Sequence, residues 1–335
     1  MKKPQARYSA LSALWKELKT DRNQTHLGII DVGAGNGLSK HLQVFQKFAH
    51  FHFFEPDHDA LLGLEKELQN TNIASFSIHN FALGRDLKAD QEFFITLSGQ
   101  NSSCLRPNKS FARRYRISGF EVVKKRFVDT RNLDSLSFEH PISLIKVDAQ
   151  GFDLEILHGG DKLISEHVSV AIIESCFTTM YHQQPLFCDI QSFFEKRGFS
   201  FYGFLNTNSY STKSVNQRKV FSRERFVWAD AVFVKDPIES NAGTFSSDCL
   251  IDLVFCLLGL EFNDLAIEIT ERFLPSRLDE VSRYLESFAF EDFDTERDAL
   301  ICLISNLDSE NFAQRIMEYV DKYSGYGNPA YLKER

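Results

Sequence analysis

Apolar residues fall into two patterns along this chain. Unbroken runs at 28–33, 50–54, 73–79, 144–148, 169–174, 200–204 and 229–234 read as strands, most of them buried on both faces. Between them, over 57–69, 151–165 and 187–197, apolar positions recur every three or four residues and predict helices; the last ends at Arg197-Gly198, where glycine suits a helix C-cap. A first helix over 7–19, with Tyr8, Leu11, Leu14, Trp15 and Leu18 on one stripe, is expected to cover the start of the sheet. Alternating strands and helices argue for an α/β fold, a parallel sheet with helices on both faces. Two stretches break the alternation. Within 84–141, Gln91–Leu97 and Val122–Val128 look like an inserted antiparallel pair joined by a basic segment, and 205–226 reads as a long exposed loop. From about 245 the pattern is helical only, over 249–260, 262–274, 279–287, 297–306 and 312–323. The expected organisation is an N-terminal helix (1–27), a Rossmann-like domain (28–238) and a C-terminal all-helical bundle (245–335) serving docking or oligomerisation.

Charge sharpens that boundary. The 335 residues carry a net charge of −8, but from Asp236 onward 21 acidic residues face 8 basic ones, while residues 1–235 hold 25 acidic and 30 basic. A change of sign at one place in a chain usually marks a change of domain. No run is long and apolar enough to span a bilayer, and the charged start Met1–Arg7 lacks an apolar stretch after it, so a secretory signal is not expected. The six cysteines form no C-x-x-C pair and read as thiols of a reducing compartment, which predicts a cytoplasmic protein without a zinc site or disulfides.

The densest candidate chemistry follows the first strand. Asp31-Val32-Gly33-Ala34-Gly35-Asn36-Gly37 joins an apolar run to a glycine-rich turn, where missing Cβ atoms let backbone and ligand approach. About twenty residues later Phe53-Phe54-Glu55-Pro56 ends a second strand in a carboxylate placed to take the two hydroxyls of a ribose. A dinucleotide fingerprint needs a third glycine where Leu38 stands, which disfavours a nicotinamide oxidoreductase. Gly-x-Gly-x-Gly is instead the pattern of S-adenosyl-L-methionine (SAM) sites. A second dense segment, Lys146-Val147-Asp148-Ala149-Gln150-Gly151-Phe152-Asp153, closes another buried strand at the same sheet edge; Asp148 and Asp153 could equally be helix N-caps.

These motifs resemble, in order, those of the FkbM-type SAM-dependent methyltransferases over about 28–235. The likeness runs through Asp31–Ala34, Glu55-Pro56, Asn80-Phe81-Ala82-Leu83-Gly84, Leu133-Asp134, Leu144–Asp148, Gln150-Gly151, Leu157–Gly160, Glu174 and Asp230–Val234. The resemblance implies a Rossmann-like, seven-stranded class I methyltransferase sheet with its last strand antiparallel, and O-methylation of a sugar or other hydroxylated metabolite. By carry-over, Asp31 and Gly33, Ala34, Gly35, Asn36 and Gly37 hold the methionine end of SAM, Glu55 and Pro56 the ribose, and the turn with Asn80 and Ala82 flanks adenine. Asp148 faces the methionine or the acceptor. Where this family often has Glu-Gly, the chain has Gln150-Gly151, which removes a carboxylate and argues against a metal there.

For catalysis, the segment Glu174–His182 is expected to reach the acceptor. His182 is the first candidate base because its pKa lies near working pH, with Glu174 orienting or replacing it and Asp148 beside them. The expected partner is a small-molecule or glycan acceptor, in one reading phosphorylated. Between Arg106 and Arg131 nine basic residues face Glu121 and Asp129, and 213–225 adds five more, so these segments would grip an anion or dock the acidic tail. No RNA-binding motif accompanies them, and nucleic acid is not expected. The C-terminal helices would serve a homo-oligomer or protein partner. The alternative to an enzyme is a non-catalytic SAM- or nucleotide-binding regulatory protein.

Overall fold

The computed structural model describes residues 4–18, 26–212, 214, 222–239 and 245–287. Contacts divide the chain into a compact unit, residues 4–282, and a second unit made of 1–3 and 283–335; the sheet, the insertion and the site lie in the first. The expected helices over 297–306 and 312–323 fall outside the described residues.

All seven predicted strands are present: β1 (Leu27–Val32), β2 (Ala49–Phe54), β3 (Ser75–His79), β7 (Ile142–Val147), β8 (Val170–Cys176), β9 (Ser200–Tyr210) and β10 (Arg225–Val234). They form one sheet in the order β3-β2-β1-β7-β8-β10-β9. Strands β1, β2, β3, β7 and β8 pair in parallel, and β10 runs antiparallel to both its neighbours. Every residue of β1, β2, β7 and β8 is buried, which is why their sequences are apolar runs instead of alternating ones. On one face, Ile145, Val147, Ile173 and Phe233 pack with Ile156, Leu157, Ile164, Phe193 and Phe194 of α4 (Asp153–Gly159), α5 (Asp161–Glu166) and α6 (Phe187–Glu195). The predicted helix 151–165 is thus two helices, broken at Gly160, where a Cβ would lie 2.8 Å from Leu133 Cδ1.

Helix α1 (Pro4–Leu18) and α7 (Ser247–Gly259) pack together, α7 also against β7. Trp15 stacks on Phe48 and meets Phe255 edge-on at 4.8 Å, and buried Asp252 accepts a hydrogen bond from Ser143 Oγ at 2.9 Å. Nearly all of α7 is buried, and α8 (Asn263–Phe273) packs on it. These two helices, expected in a separate bundle, therefore belong to the compact unit that holds the sheet.

Two further differences concern the insertions. The antiparallel pair appears as β5 (Lys88–Thr96) and β6 (Val122–Arg131), with β4 (Ala82–Leu83) joining β6 in a small second sheet. The basic segment between them contains α3 (Lys109–Tyr115), started by Asn108, whose side chain accepts from the backbone of Ser110 and Phe111. The expected loop at 205–226 is shorter, because β9 continues to Tyr210 and β10 begins at Arg225 as a long hairpin. Its polar sequence hid the strands: β10 pairs with β8 only from Trp228 onward, and Arg225 and Phe226 pair with β9 alone.

Candidate active site

The C-terminal ends of β1, β2 and β7 border a cleft of about 840 Å³, open to solvent. Its floor is the glycine turn. Gly33 has φ 80°, and a Cβ there would stand 2.0 Å from the Asp148 carbonyl oxygen; a Cβ on Gly35 would stand 2.6 Å from Glu55 Oε2. Both glycines are therefore required by close approach, and Gly35 leaves the Glu55 carboxylate open to the cleft. Gly37 serves packing, since a Cβ would meet the Glu67 carboxylate of α2 (His58–Gln69) at 1.9 Å. Ala34 and Asn36 lie in a single turn of 3-10 helix.

Glu55 and Pro56 line the cleft, as the spacing predicts. Glu55 Oε1 accepts from the Asp57 backbone at 2.7 Å. Burial pushes its pKa up to about 7, the backbone hydrogen bonds offsetting only part of that. Beyond it the cleft turns apolar, with Ala82, Leu83, Phe93, Phe152 and Ile156 around Ser102 and Cys104. Asn80 is exposed and is not one of the cleft's lining residues, because the turn directs Ala82 inward instead. Phe93, Gly99, Gln100, Ser102 and Cys104, which line the cleft's apolar part, come from the insertion, ahead of the basic segment expected to grip an anion or dock the acidic tail.

A group of charges stands around Lys146. This lysine is buried in mid-strand, in register with Asp31, its Nζ 3.4 Å from Asp31 Oδ1 and 3.6 Å from Asp148 Oδ2. Burial alone would lower its pKa, but Asp31, Asp148, Asp230 and Glu174 outweigh that and raise it above the usual lysine range. Burial raises Asp31, with Lys146 opposing, and raises Glu174 well above the carboxylate range, reinforced by the charge of Asp148. Asp153 is buried too and accepts from the backbones of Ala149 and Gly151, both at 2.9 Å; burial pushes it to about 7. It ties the 148–151 turn, whereas Asp148 lines the cleft.

Gln150, at φ 52°, joins these groups. Its Nε2 donates to Asp148 Oδ1 at 2.8 Å and Glu174 Oε2 at 2.9 Å, and its Oε1 accepts from the Tyr181 hydroxyl at 2.8 Å. Tyr181 is wholly buried, and Gln184 accepts from the backbones of Met180 and Tyr181. His182 is not brought into this group. It is exposed, and its backbone donates to the Arg106 carbonyl at 2.9 Å, pinning the segment to the insertion while the ring stays outside the cleft. Sequence reasoning passed over Lys146 and Tyr181. A charged residue within the apolar run Leu144–Val147 was the available signal for the first; for the second there was only its place beside His182.

Residues 31–201, about half of the chain, match the methyltransferase FkbM domain. The chain belongs to the FkbM methyltransferase family. It thus carries a SAM-dependent methyltransferase domain, with the Rossmann-like sheet the motifs predict. Solved structures with similarity to this chain include an FkbM methyltransferase from Methylobacillus flagellatus, 17% identical with a TM-score of 0.39 over 67% of this chain and 47% of that one. Precorrin-6y C5,15-methyltransferase from Geobacter metallireducens is 13% identical (TM-score 0.32, 70% and 91% covered). Magnesium protoporphyrin IX methyltransferase from Synechocystis, with bound SAM, is 15% identical (TM-score 0.32, 69% and 78% covered). The chain spans about half the length of the first of these. No curated protein matches it.

Proposed function

We propose that this protein transfers the methyl group of SAM to a hydroxyl of a small, sugar-like or glycan-type acceptor. One observation carries the reading: a single cleft has a ribose-ready carboxylate, Glu55, beside Gly35, an apolar section for a base, and Asp148 on its wall. SAM supplies a methyl group on a permanently cationic sulfur, and transfer to an alcohol forms a C–O bond as the S–C bond breaks. The chain's own part is to bind, align and exclude water, the main sources of rate for such a displacement. Glu55 accepts the ribose hydroxyls, Gly33 and Gly35 let the cofactor approach, and the carboxylates around Lys146 favour a cation electrostatically. Asp148 accepts the proton that leaves the acceptor hydroxyl.

The acceptor in this reading carries negative charge. Lys109, Arg113 and Arg114 are exposed on α3, and Arg225 opens β10 opposite Tyr210, whose ring lies 6.0 Å from Phe111 and 5.8 Å from Tyr115. These cations have no acidic partner among the described residues, and the elements bearing them meet at the sheet edge beyond Glu174. Tritiated methyl transfer from SAM should be screened against neutral sugars, phosphorylated sugars and nucleotide sugars. The expected result is labelling of a phosphorylated class, with acceptor KM raised by the double change Arg113→Glu and Arg114→Glu and SAM affinity unchanged. Preference for neutral sugars would remove the anionic requirement, and no labelling of any hydroxylated class would favour a binding protein without turnover.

A further inference from the structure

We propose that Gln150 is the positioning residue of this site: its carboxamide stands where a divalent cation would bridge Asp148 and Glu174, and holds both carboxylates in one arrangement. The inference rests on the methyltransferase reading and adds to it how the acceptor end is kept in order.

The side chain has no freedom left. Asp148 Oδ1 lies 2.8 Å from Nε2 and takes a donor, which fixes the amide's orientation, and Glu174 Oε2 accepts from the same nitrogen at 2.9 Å. The carbonyl end then faces Tyr181, whose single hydroxyl hydrogen is shared between Oε1 at 2.8 Å and the Asn101 carbonyl at 3.0 Å. The Gln150 main chain is held as well, since Ser103 Oγ donates to its carbonyl at 2.9 Å. A left-handed φ of 52° at a residue other than glycine persists only where the surroundings over-determine it. Tyr181, Ser103 and the two carboxylates are those surroundings.

The chemistry also favours an amide over a cation. Asp148 Oδ2 lies 3.6 Å from the Lys146 ammonium, and the sulfonium of SAM would bring a second positive charge to the same carboxylates. A metal ion at the bridging position would compete with both for the same carboxylates. Two amide hydrogens satisfy both oxygens and add no charge. Asp148 thereby keeps one oxygen on Gln150 and the other toward Lys146, so its side chain cannot rotate to follow the acceptor.

Manganese is the probe, read by electron paramagnetic resonance, with thermal unfolding in parallel. Wild-type protein should bind no Mn²⁺ at this position, and its melting temperature and SAM affinity should be indifferent to EDTA. Gln150→Glu should bind one Mn²⁺, since a third carboxylate supplies the ligand charge that affinity follows, and Mn²⁺ should raise its melting temperature. Gln150→Gly adopts the left-handed backbone without strain, so it keeps the fold if the larger change does not. It vacates the bridging position and should also gain Mn²⁺ binding. Mn²⁺ binding by the wild type that displaces the amide, or no gain in either variant, overturns the proposal. Wild-type titration with SAM separates this from a failure of the cofactor reading, because SAM can bind whether or not Gln150 acts as a bridge.

Discussion

At the scale of single residues, burial decides which carboxylates can act. Asp31, Asp153 and Glu174 are enclosed, and desolvation raises all three. Asp148 lies on the wall of the cleft, with its side chain 29% exposed, so it alone among the four can meet an acceptor while remaining tied to Gln150 and Lys146. Asp148→Asn should lower methyl transfer by ~10²–10⁴, the usual range for removing a general base. His182→Ala should leave turnover near wild type, since only its backbone is engaged. The reverse ranking in single-turnover assays would return the base to His182. The sequence made Asp31, Glu55 and Asp148 visible because each ends or interrupts an apolar run. It could not separate His182 from Tyr181, since neighbouring residues in a loop point in unrelated directions.

At the scale of elements, the main lesson comes from α7. Its apolar residues recur at helical spacing and follow a change of charge sign, which read as the start of a separate bundle. In the structure its charge is incidental: Asp252 is buried against Ser143, and Phe255 is fully buried against Trp15 and Phe48. Phe255→Ala should cost about 3–5 kcal/mol of stability, the usual penalty for emptying a buried aromatic position. Urea unfolding reads it, and the loss should be insensitive to salt because apolar packing is not screened. A loss under about 1 kcal/mol, or one that high salt reproduces, would mean that α7 is held by charge and not by its core. The strands were legible for the opposite reason, since double-sided burial writes an unbroken apolar run. The extension of β9 and β10 past β8 has no such run, and only the fold reveals it.

At the scale of the whole molecule, ionisable groups of opposite linkage share the sheet. His26, His50, His52 and His79 are lowered, burial being the first cause in each, and His52 falls to about 3. The rings form a chain, with His50 to His52 at 4.6 Å and His52 Nδ1 to His79 Nε2 at 3.3 Å. In the unfolded chain a histidine titrates near 6.5, so below that pH the unfolded state binds more protons and the fold loses stability, for His52 down to about 3. Glu55 and Asp153, raised to about 7, contribute with the other sign: their stabilisation is present below the unfolded carboxylate range and is lost as pH rises toward 7. The variant His52→Phe isolates the first effect. Its unfolding free energy should depend less steeply on pH than wild type between 6.5 and 3, and parallel curves would show that His52 stays neutral in neither state preferentially.

The cleft itself, lined by both Glu55 and Asp148, is tested most directly by calorimetric titration of the wild type and Glu55→Ala with SAM and with NAD. Saturable binding of SAM, weakened by about 1.5–3 kcal/mol in the variant through the lost hydrogen bonds to a charged acceptor, and no binding of NAD, is the predicted result. Binding of NAD in preference to SAM, or SAM affinity unchanged by Glu55→Ala in a folded protein, would contradict it.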